Sequence, residues 1–275
     1  MPLITLLTDF GLADEYVGLM KGVILSINPL AKIIDLTHQI DPQDIVQAAY
    51  TIKSSYKYFP KGTIHVLVVD PGVGSSRSVI ALEKDGHIFL APDNGLLALL
   101  INSKKDDFII SVDNSKYFLK NISRTFHGRD IFAPVAAHMT NGVKLHEIGS
   151  PIDGEKLTQI KMPVPHTLSG GGIKGSVIFI DRFGNLITNI DADLIEKNIN
   201  QKKNSDIKII LGNKIIHGLS NNYKSVNIQS PLAIIGSKGY LEISVNCGNA
   251  KQYFKAQKGD KVMINTHQQN HGFIK

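Results

Sequence analysis

The rhythm of apolar and polar positions changes about halfway along the chain. In the first half, short apolar runs alternate with stretches of helical spacing. Leu3–Leu7 is apolar apart from Thr5, and its length suits a buried strand. From Tyr16 to Ile27 apolar positions 16, 17, 19, 20, 23, 24 and 27 lie close to helical spacing. Lys32–Leu36 predicts a second strand, Asp44–Tyr58 a second helix, and the β-branched run Thr63–Val69 a third strand. A further helix is predicted over about Asp130–Thr140. Strands alternating with helices imply parallel pairing. The expected N-terminal fold is therefore a three-layer α/β domain with a mostly parallel sheet covered on both faces.

Residues 151–172 carry Pro151, Pro163 and Pro165, end in Ser-Gly-Gly-Gly and show no periodicity. They read as an interdomain linker. The expected division is an N-terminal domain over 1–160, a linker over 161–172 and a C-terminal domain over 173–275. Beyond the linker come short strands at Ser176–Ile180, Ile207–Leu211, Lys214–His217, Leu232–Ile235, Tyr240–Val245 and Lys261–Ile264, with one short helix near Leu194–Lys197. Many short strands separated by glycine turns predict a smaller β-barrel-like domain. No internal repeat or low-complexity tract is present.

Composition narrows the function classes. Of 275 residues 43% are hydrophobic and 20% charged, enough apolar material for a sizeable core. The net charge of +6 invites a nucleic-acid reading, but the lysines are scattered in ones and twos (Lys104-Lys105, Lys202-Lys203) with no basic stripe. No nucleic-acid partner is expected. Cys247 is the single cysteine, so no intrachain disulfide forms and a reducing compartment is expected. Asp9 cuts the first apolar run short, which does not suit a secretory signal, and no apolar stretch approaches the roughly 18 residues of a membrane span. The expected location is the cytoplasm, with no membrane partner.

The chemistry is expected where the N-terminal strands end. The first strand runs into Thr8-Asp9-Phe10-Gly11, the second into Asp35-Leu36-Thr37-His38, the third into Asp70-Pro71-Gly72-Val73-Gly74. In open α/β sheets, ligands bind beyond the carboxyl ends of the strands, so three carboxylate-bearing loops there suggest an active-site rim. Plainer readings stand beside this one. Asp9 also suits a helix cap, Asp70-Pro71-Gly72 an ordinary turn, and His38 a turn histidine. Asp35 with His38 lacks a second ligand cluster at metal spacing, so no metal is expected. The glycines of 70–74 are not a phosphate loop, since no Gly-Lys-Ser/Thr follows. Three further clusters are Thr125–Asp130, Phe179–Asn189 and Gly236–Glu242. Each is also readable structurally, as a loop histidine beside an Arg129–Asp130 surface pair and as two hairpin turns.

Taken together and in order, these segments resemble the S-adenosylmethionine (SAM) hydroxide adenosyltransferase family, whose relatives include fluorinating and chlorinating enzymes. The resemblance runs through Thr8–Gly11, Val69–Gly74 with Arg77, Ala91–Gly95, Phe126–Asp130, Asp181–Asn185 and Ser237–Tyr240. It implies hydrolysis of SAM to adenosine and L-methionine, with SAM as substrate, no cofactor, and a homotrimer whose active sites lie between subunits. It implies Asp70, Arg77 and His127 around the attacking water and Asp9 on the ribose hydroxyls. Asp181 and Ser237 would lie around the methionine end and Asn185 on the adenine, with Phe183 and Tyr223 as aromatic walls. Lys238 stands where the halogenases carry arginine, and Glu242 falls near the adenosine pocket. A neighbouring Arg77 makes Asp70 an orienter of water rather than a base. His127, with an ordinary value of about 6.5, suits the proton acceptor. Two rivals are a SAM-dependent halogenase and a non-catalytic SAM or adenosine sensor.

Overall fold

The structure is a computed structural model that describes residues 3–101, 107–168, 171–199 and 203–265. Lys104, Lys105, Lys202 and the linker residues Ser169 and Gly170 lie outside the described residues. The chain divides into two compact units, Met1–Lys161 and Met162–Lys275.

The first unit is built on a seven-stranded sheet. Its elements are β1 (Leu3–Thr8), α1 (Tyr16–Ile27), β2 (Lys32–Thr37), α2 (Ile45–Ser55), β3 (Ile64–Val68), β4 (Val79–Lys84), β5 (His87–Pro92), β6 (Phe108–Ser111), α3 (Ala133–Thr140) and β7 (Ser150–Pro151). The strand order is β2-β1-β3-β5-β4-β6-β7. Side-chain alternation sends Ile4, Leu6, Val66 and Val68 to one face, where they pack with Met20 and Ile24 of α1 and the small residues of α3. Leu7, Leu67 and Val69 face the other way, onto Ala48 and Ile52 of α2.

The expectation of a three-layer domain with a mostly parallel sheet needs correction, because the sheet is mixed. β2, β1, β3 and β5 pair in parallel, whereas β4, β6 and β7 are antiparallel. The cause is local. Asp85 and Gly86, both at positive φ, form a two-residue turn that folds β4 back on β5. Asp-Gly between two apolar runs is a strong hairpin signal. The helical stretch predicted to Tyr58 ends at Ser55 and tightens into a 3₁₀ turn over Tyr56–Tyr58. The one predicted over 130–140 opens with a π turn at Gly128–Phe132 before α3.

The second unit is antiparallel throughout. It comprises β8 (His166–Thr167), β9 (Ile173–Ile180), β10 (Leu186–Asp191), α4 (Ala192–Ile199), β11 (Lys208–Leu211), β12 (Lys214–His217), β13 (Pro231–Ile235), β14 (Tyr240–Val245), α5 (Ala250–Phe254) and β15 (Lys261–Asn265). The order is β12-β11-β15-β9-β10-β14-β13, with β8 on β9. The end strands β12 and β13 come near each other, so the sheet curls almost into a barrel. Its interior holds Val177, Leu186, Ile209, Leu241, Ile243 and Val262. Among the described residues, no helix is long and apolar enough to cross a membrane.

Candidate active site

Because β1 and β3 are parallel neighbours, the loops that follow them leave the same edge of the sheet. That edge receives Asp9 directly after β1 and Asp70 two residues after β3. The turn reading of Asp70-Pro71-Gly72 holds, since Val73 N donates to the Asp70 carbonyl at 3.2 Å. The same turn brings Arg77 back onto Asp70. Arg77 Nε donates to Asp70 Oδ1 at 2.9 Å, and its Nη2 donates to Oδ2, a bidentate pair with both side chains more than nine-tenths buried. Nη2 also lies 3.1 Å from His127 Nδ1. One guanidinium therefore joins the carboxylate and the imidazole.

His127 comes from the far end of the unit, and its loop is held by Asp130. This carboxylate is fully buried, so the surface-pair reading of Arg129–Asp130 is replaced. It accepts from Ser123 N at 2.8 Å and from Arg129 Nε at 2.6 Å. Burial works to raise the Asp130 carboxyl, but the bonds from Arg129 and Ser123 outweigh it and keep it below the usual range. The Asp70 loop packs directly on this segment. A Cβ on Gly74, at φ +77°, would overlap the Arg124 carbonyl, so only glycine permits the approach.

Burial, and next the Arg77 charge, push the His127 imidazole below its ordinary value, with Asp70 and Asp130 opposing. Arginine has no acceptor, so His127 Nδ1 must accept and the neutral ring carries its proton on Nε2. Asp9, Asp70 and His127 line one cavity of about 420 Å³ with Phe10, Tyr16, Gln43, Phe126 and Gly128, a size that suits a small molecule. Asp9 also serves its loop, because its Oδ2 accepts from Gln43 N at 2.8 Å. The sequence reading missed Tyr16, Phe10, Phe126 and Gln43 as cavity walls. Tyr16 looked like one more apolar helix position, and nothing in the sequence singles out Gln43. The two phenylalanines were flagged by their motif neighbours. The three rings pack with centroids 5.1 to 5.9 Å apart.

The other sequence-predicted residues belong to the second unit. Asp181, Phe183 and Asn185 share the turn between β9 and β10. Asp181 Oδ1 accepts from the amides of Phe183 and Asn185, both at 2.9 Å, and Asn185 Nδ2 reaches Asp181 Oδ2 at 3.0 Å. Phe183 stands 76% exposed at the tip. Ser237 and Lys238 occupy the turn between β13 and β14, closed by Gly236 N to the Tyr240 carbonyl at 2.9 Å. Lys238 lays its Nζ 4.0 Å from the centre of the Phe179 ring. Burial pushes this amine down, against the pull of Asp181 and Glu242. Glu242 is buried and accepts from Tyr223 Oη at 2.7 Å and Ser244 Oγ at 2.8 Å. Its acceptor bond and burial push the Tyr223 phenol up to about 12. Among the described residues, no group of three His, Cys, Asp or Glu is placed to hold a metal.

Residues 4–149 match the SAM hydroxide adenosyltransferase N-terminal domain, and residues 175–263 match the C-terminal domain of the same family. The chain is 37% identical to an (R)-S-adenosyl-L-methionine hydrolase of Methanocaldococcus jannaschii, over 96% of both chains. It is 27% identical to a fluorinase of an Actinoplanes species, over 96% of this chain and 97% of that one. A conserved Thermotoga maritima protein of known crystal structure superposes with a TM-score of 0.87 at 37% identity, over 95% of this chain and 99% of the other. The chain belongs to the SAM hydroxide adenosyltransferase family.

Proposed function

We propose that this protein hydrolyses SAM to adenosine and L-methionine, water attacking the ribose 5′ carbon. The observation that carries the reading is the Asp70–Arg77–His127 cluster, in which one guanidinium joins Asp70 and His127, both lining a cavity that also holds Asp9. A sulfonium leaves as a neutral thioether, so no acid is needed for departure. The protein's task is to hold water in line with the carbon–sulfur bond at about 3 Å. As the new carbon–oxygen bond forms, the attacking oxygen becomes an oxonium, a strong acid, and gives up one proton. His127 Nδ1 accepts from Arg77 and its Nε2 already carries a proton, so the ring has no free base. Each Asp70 oxygen keeps a second lone pair, and one accepts that proton. This reassigns the proton acceptor from His127 to Asp70, and His127 orients the water. Asp9 takes the ribose hydroxyls. Asp181 and Ser237 serve the methionine end with Lys238, while Asn185, Phe183, Tyr223 and Glu242 serve the adenosine end. No cofactor enters the reaction.

The halogenase reading fares worse on this geometry. Asp70 beside a halide would cost about 4 kcal/mol at roughly 4 Å in an effective dielectric near 20. Gly128 offers no side-chain donor, and a Cβ there would press on Met20 Sδ and the Phe126 ring, both at 3.2 Å. Turnover in heavy-oxygen water is the test. The label should appear in the 5′ hydroxyl of adenosine, with methionine unlabelled. A 5′-halogenated nucleoside as the main product in chloride or fluoride would replace the hydrolase with a halogenase. Tight SAM binding without adenosine release would make the protein a sensor.

The same reading makes the protein a cytoplasmic homotrimer in which the β-domain motifs of one copy serve the cavity of another. Leu12, Leu19, Leu25 and Leu30 in and beside α1, and Ile34 on the edge strand β2, are exposed and favour association. Sedimentation equilibrium at a single-chain mass would refute the trimer.

A further inference from the structure

The loop that carries Asp9 is tied, from behind the cavity, to the loop after β2. Gly11 N donates to the His38 carbonyl at 2.8 Å, and Ile40 N to the Thr8 carbonyl at 3.4 Å. Gln43 N donates to Asp9 Oδ2. Between these links lies a buried pair of side chains. Thr8 is fully buried and His38 nearly so. Thr8 Oγ1 is 2.9 Å from His38 Nδ1 and accepts from Phe10 N at 3.2 Å. On its other side, His38 Nε2 lies 3.1 Å from Asp35 Oδ1, a charge contact that does not form a regular hydrogen bond. Asp35 Oδ2 accepts from Lys21 Nζ at 2.6 Å.

The proton count gives this chain a direction. Burial works to raise the Asp35 carboxyl, but Lys21 and His38 outweigh it and hold it below the usual range, so Asp35 is a pure acceptor. A carboxylate facing Nε2 favours the proton on that nitrogen, which leaves Nδ1 to accept the Thr8 hydroxyl proton. The Thr8 oxygen is then free to accept the Phe10 amide. The order runs from Asp35 through His38 and Thr8 to the backbone at Phe10. Burying such polar groups costs free energy that an apolar pair would not. The place where the chain ends is therefore informative: it ends one residue on either side of Asp9, and Asp9 and Phe10 both line the cavity.

We infer that His38 is a positioning residue, which through Thr8 fixes where the Asp9 carboxylate and the Phe10 ring stand in the cavity. The inference rests on the reading of that cavity as the nucleoside site. Its effect falls on substrate and transition state alike, so it moves KM and not kcat.

The test uses the full-length protein, with adenosine binding by calorimetry, SAM turnover and thermal unfolding measured on each variant. His38→Ala and Thr8→Val should each weaken adenosine about tenfold and raise KM for SAM to match, with kcat within about threefold of the parent. Thr8→Ser, which keeps the hydroxyl, should restore affinity, and His38→Asn should fall between. Full adenosine affinity and unchanged KM in Thr8→Val would overturn the inference, and a lowered Tm alongside them would make the pair mere packing. If His38→Ala does not fold, the Val and Ser variants of Thr8 decide alone. If the parent releases no adenosine from SAM yet the variants still lose adenosine, the hydrolase reading fails and the positioning role stands. If the parent hydrolyses SAM without measurable adenosine affinity, the KM series decides.

Discussion

The two groups of candidate residues are held in opposite ways. In the first unit, Asp70, Arg77 and His127 come from sequence positions up to 57 apart and are joined side chain to side chain. In the second, Asp181 bonds within its own turn, Tyr223 and Glu242 bond each other, and Phe183 points to solvent. A site that must stabilise a transition state needs its charges fixed before the reaction, because reorganising them would add to the barrier. Groups that recognise substrate tolerate local partners, since a turn also presents its backbone and exposed ring. On the proposed function, the reacting cluster lies in the first unit with Asp9 beside it for the ribose, and the locally bonded residues of the second unit serve recognition only.

The sharpest way to break that comparison is to disable each group in turn. Asp70→Asn and His127→Ala should each lower kcat by roughly 10²–10⁴ while SAM affinity, measured by calorimetry, changes little. Equal losses in affinity would mean that this cluster binds and does not react.

Acid should act on the first group next. His127 lies below its ordinary value, so the ring is neutral at pH 7. Protonation, as pH falls, removes the Nδ1 acceptor and sets a cation against Arg77. The expected kcat/KM is flat near neutrality and declines about tenfold per unit on the acid side, beginning below about pH 6.5. An acid decline that persists unchanged in His127→Gln would exclude His127 as its source.

A smaller effect is expected in the second unit. Asp181→Asn keeps the oxygen that both turn amides use and loses the charge and the bond from Asn185 Nδ2. It should weaken SAM several-fold with kcat and Tm almost unchanged, whereas Asp181→Ala should also cost about 1–2 kcal/mol of stability. Unchanged SAM affinity in Asp181→Asn would leave the residue a turn former only.

Acid also weakens the fold itself, without touching either group. His65 is fully buried between Thr5 Oγ1, 2.7 Å from its Nδ1, and His87 Nδ1, 3.2 Å from its Nε2. Burial, helped by His87, pushes it down to about 3. Its unfolded form binds a proton below about pH 6.5 while the folded form stays neutral, so stability is fully present above that pH. It is lost at about 1.4 kcal/mol per unit as pH falls toward 3. Stability from urea unfolding between pH 6.5 and 5 should fall at least this steeply in the parent, because His87, His127 and His138 are lowered too. In His65→Gln it should fall by up to about 1.4 kcal/mol per unit less. The activity profile must be read at pH values where the fold survives.

Periodicity alone identified the strand–helix alternation of the first unit and the short strands of the second, because each reflects a local rule about which face is buried. It placed carboxylates after β1 and β3 for the same reason, whereas Asp35, expected in a loop of the same rim, falls inside β2 and outside the cavity. The antiparallel half of the first sheet was missed although Asp85-Gly86 announced it, since alternation elsewhere argued for parallel pairing. Likewise β10 lay inside a motif read for its chemistry.

What the sequence determined by itself is most element types, two of the three carboxylates expected at the rim (Asp9 and Asp70) and, through its ordered motifs, the family. The tertiary structure alone decided that Arg77 serves both Asp70 and His127, that Asp130 is buried, and that His38 meets Thr8, the residue before Asp9. Contacts between residues 30 or 50 positions apart depend on sheet order and loop closure, and no local pattern encodes these. Which nitrogen of His127 holds its proton follows from such a contact, so the choice between base and orienter belongs to the fold.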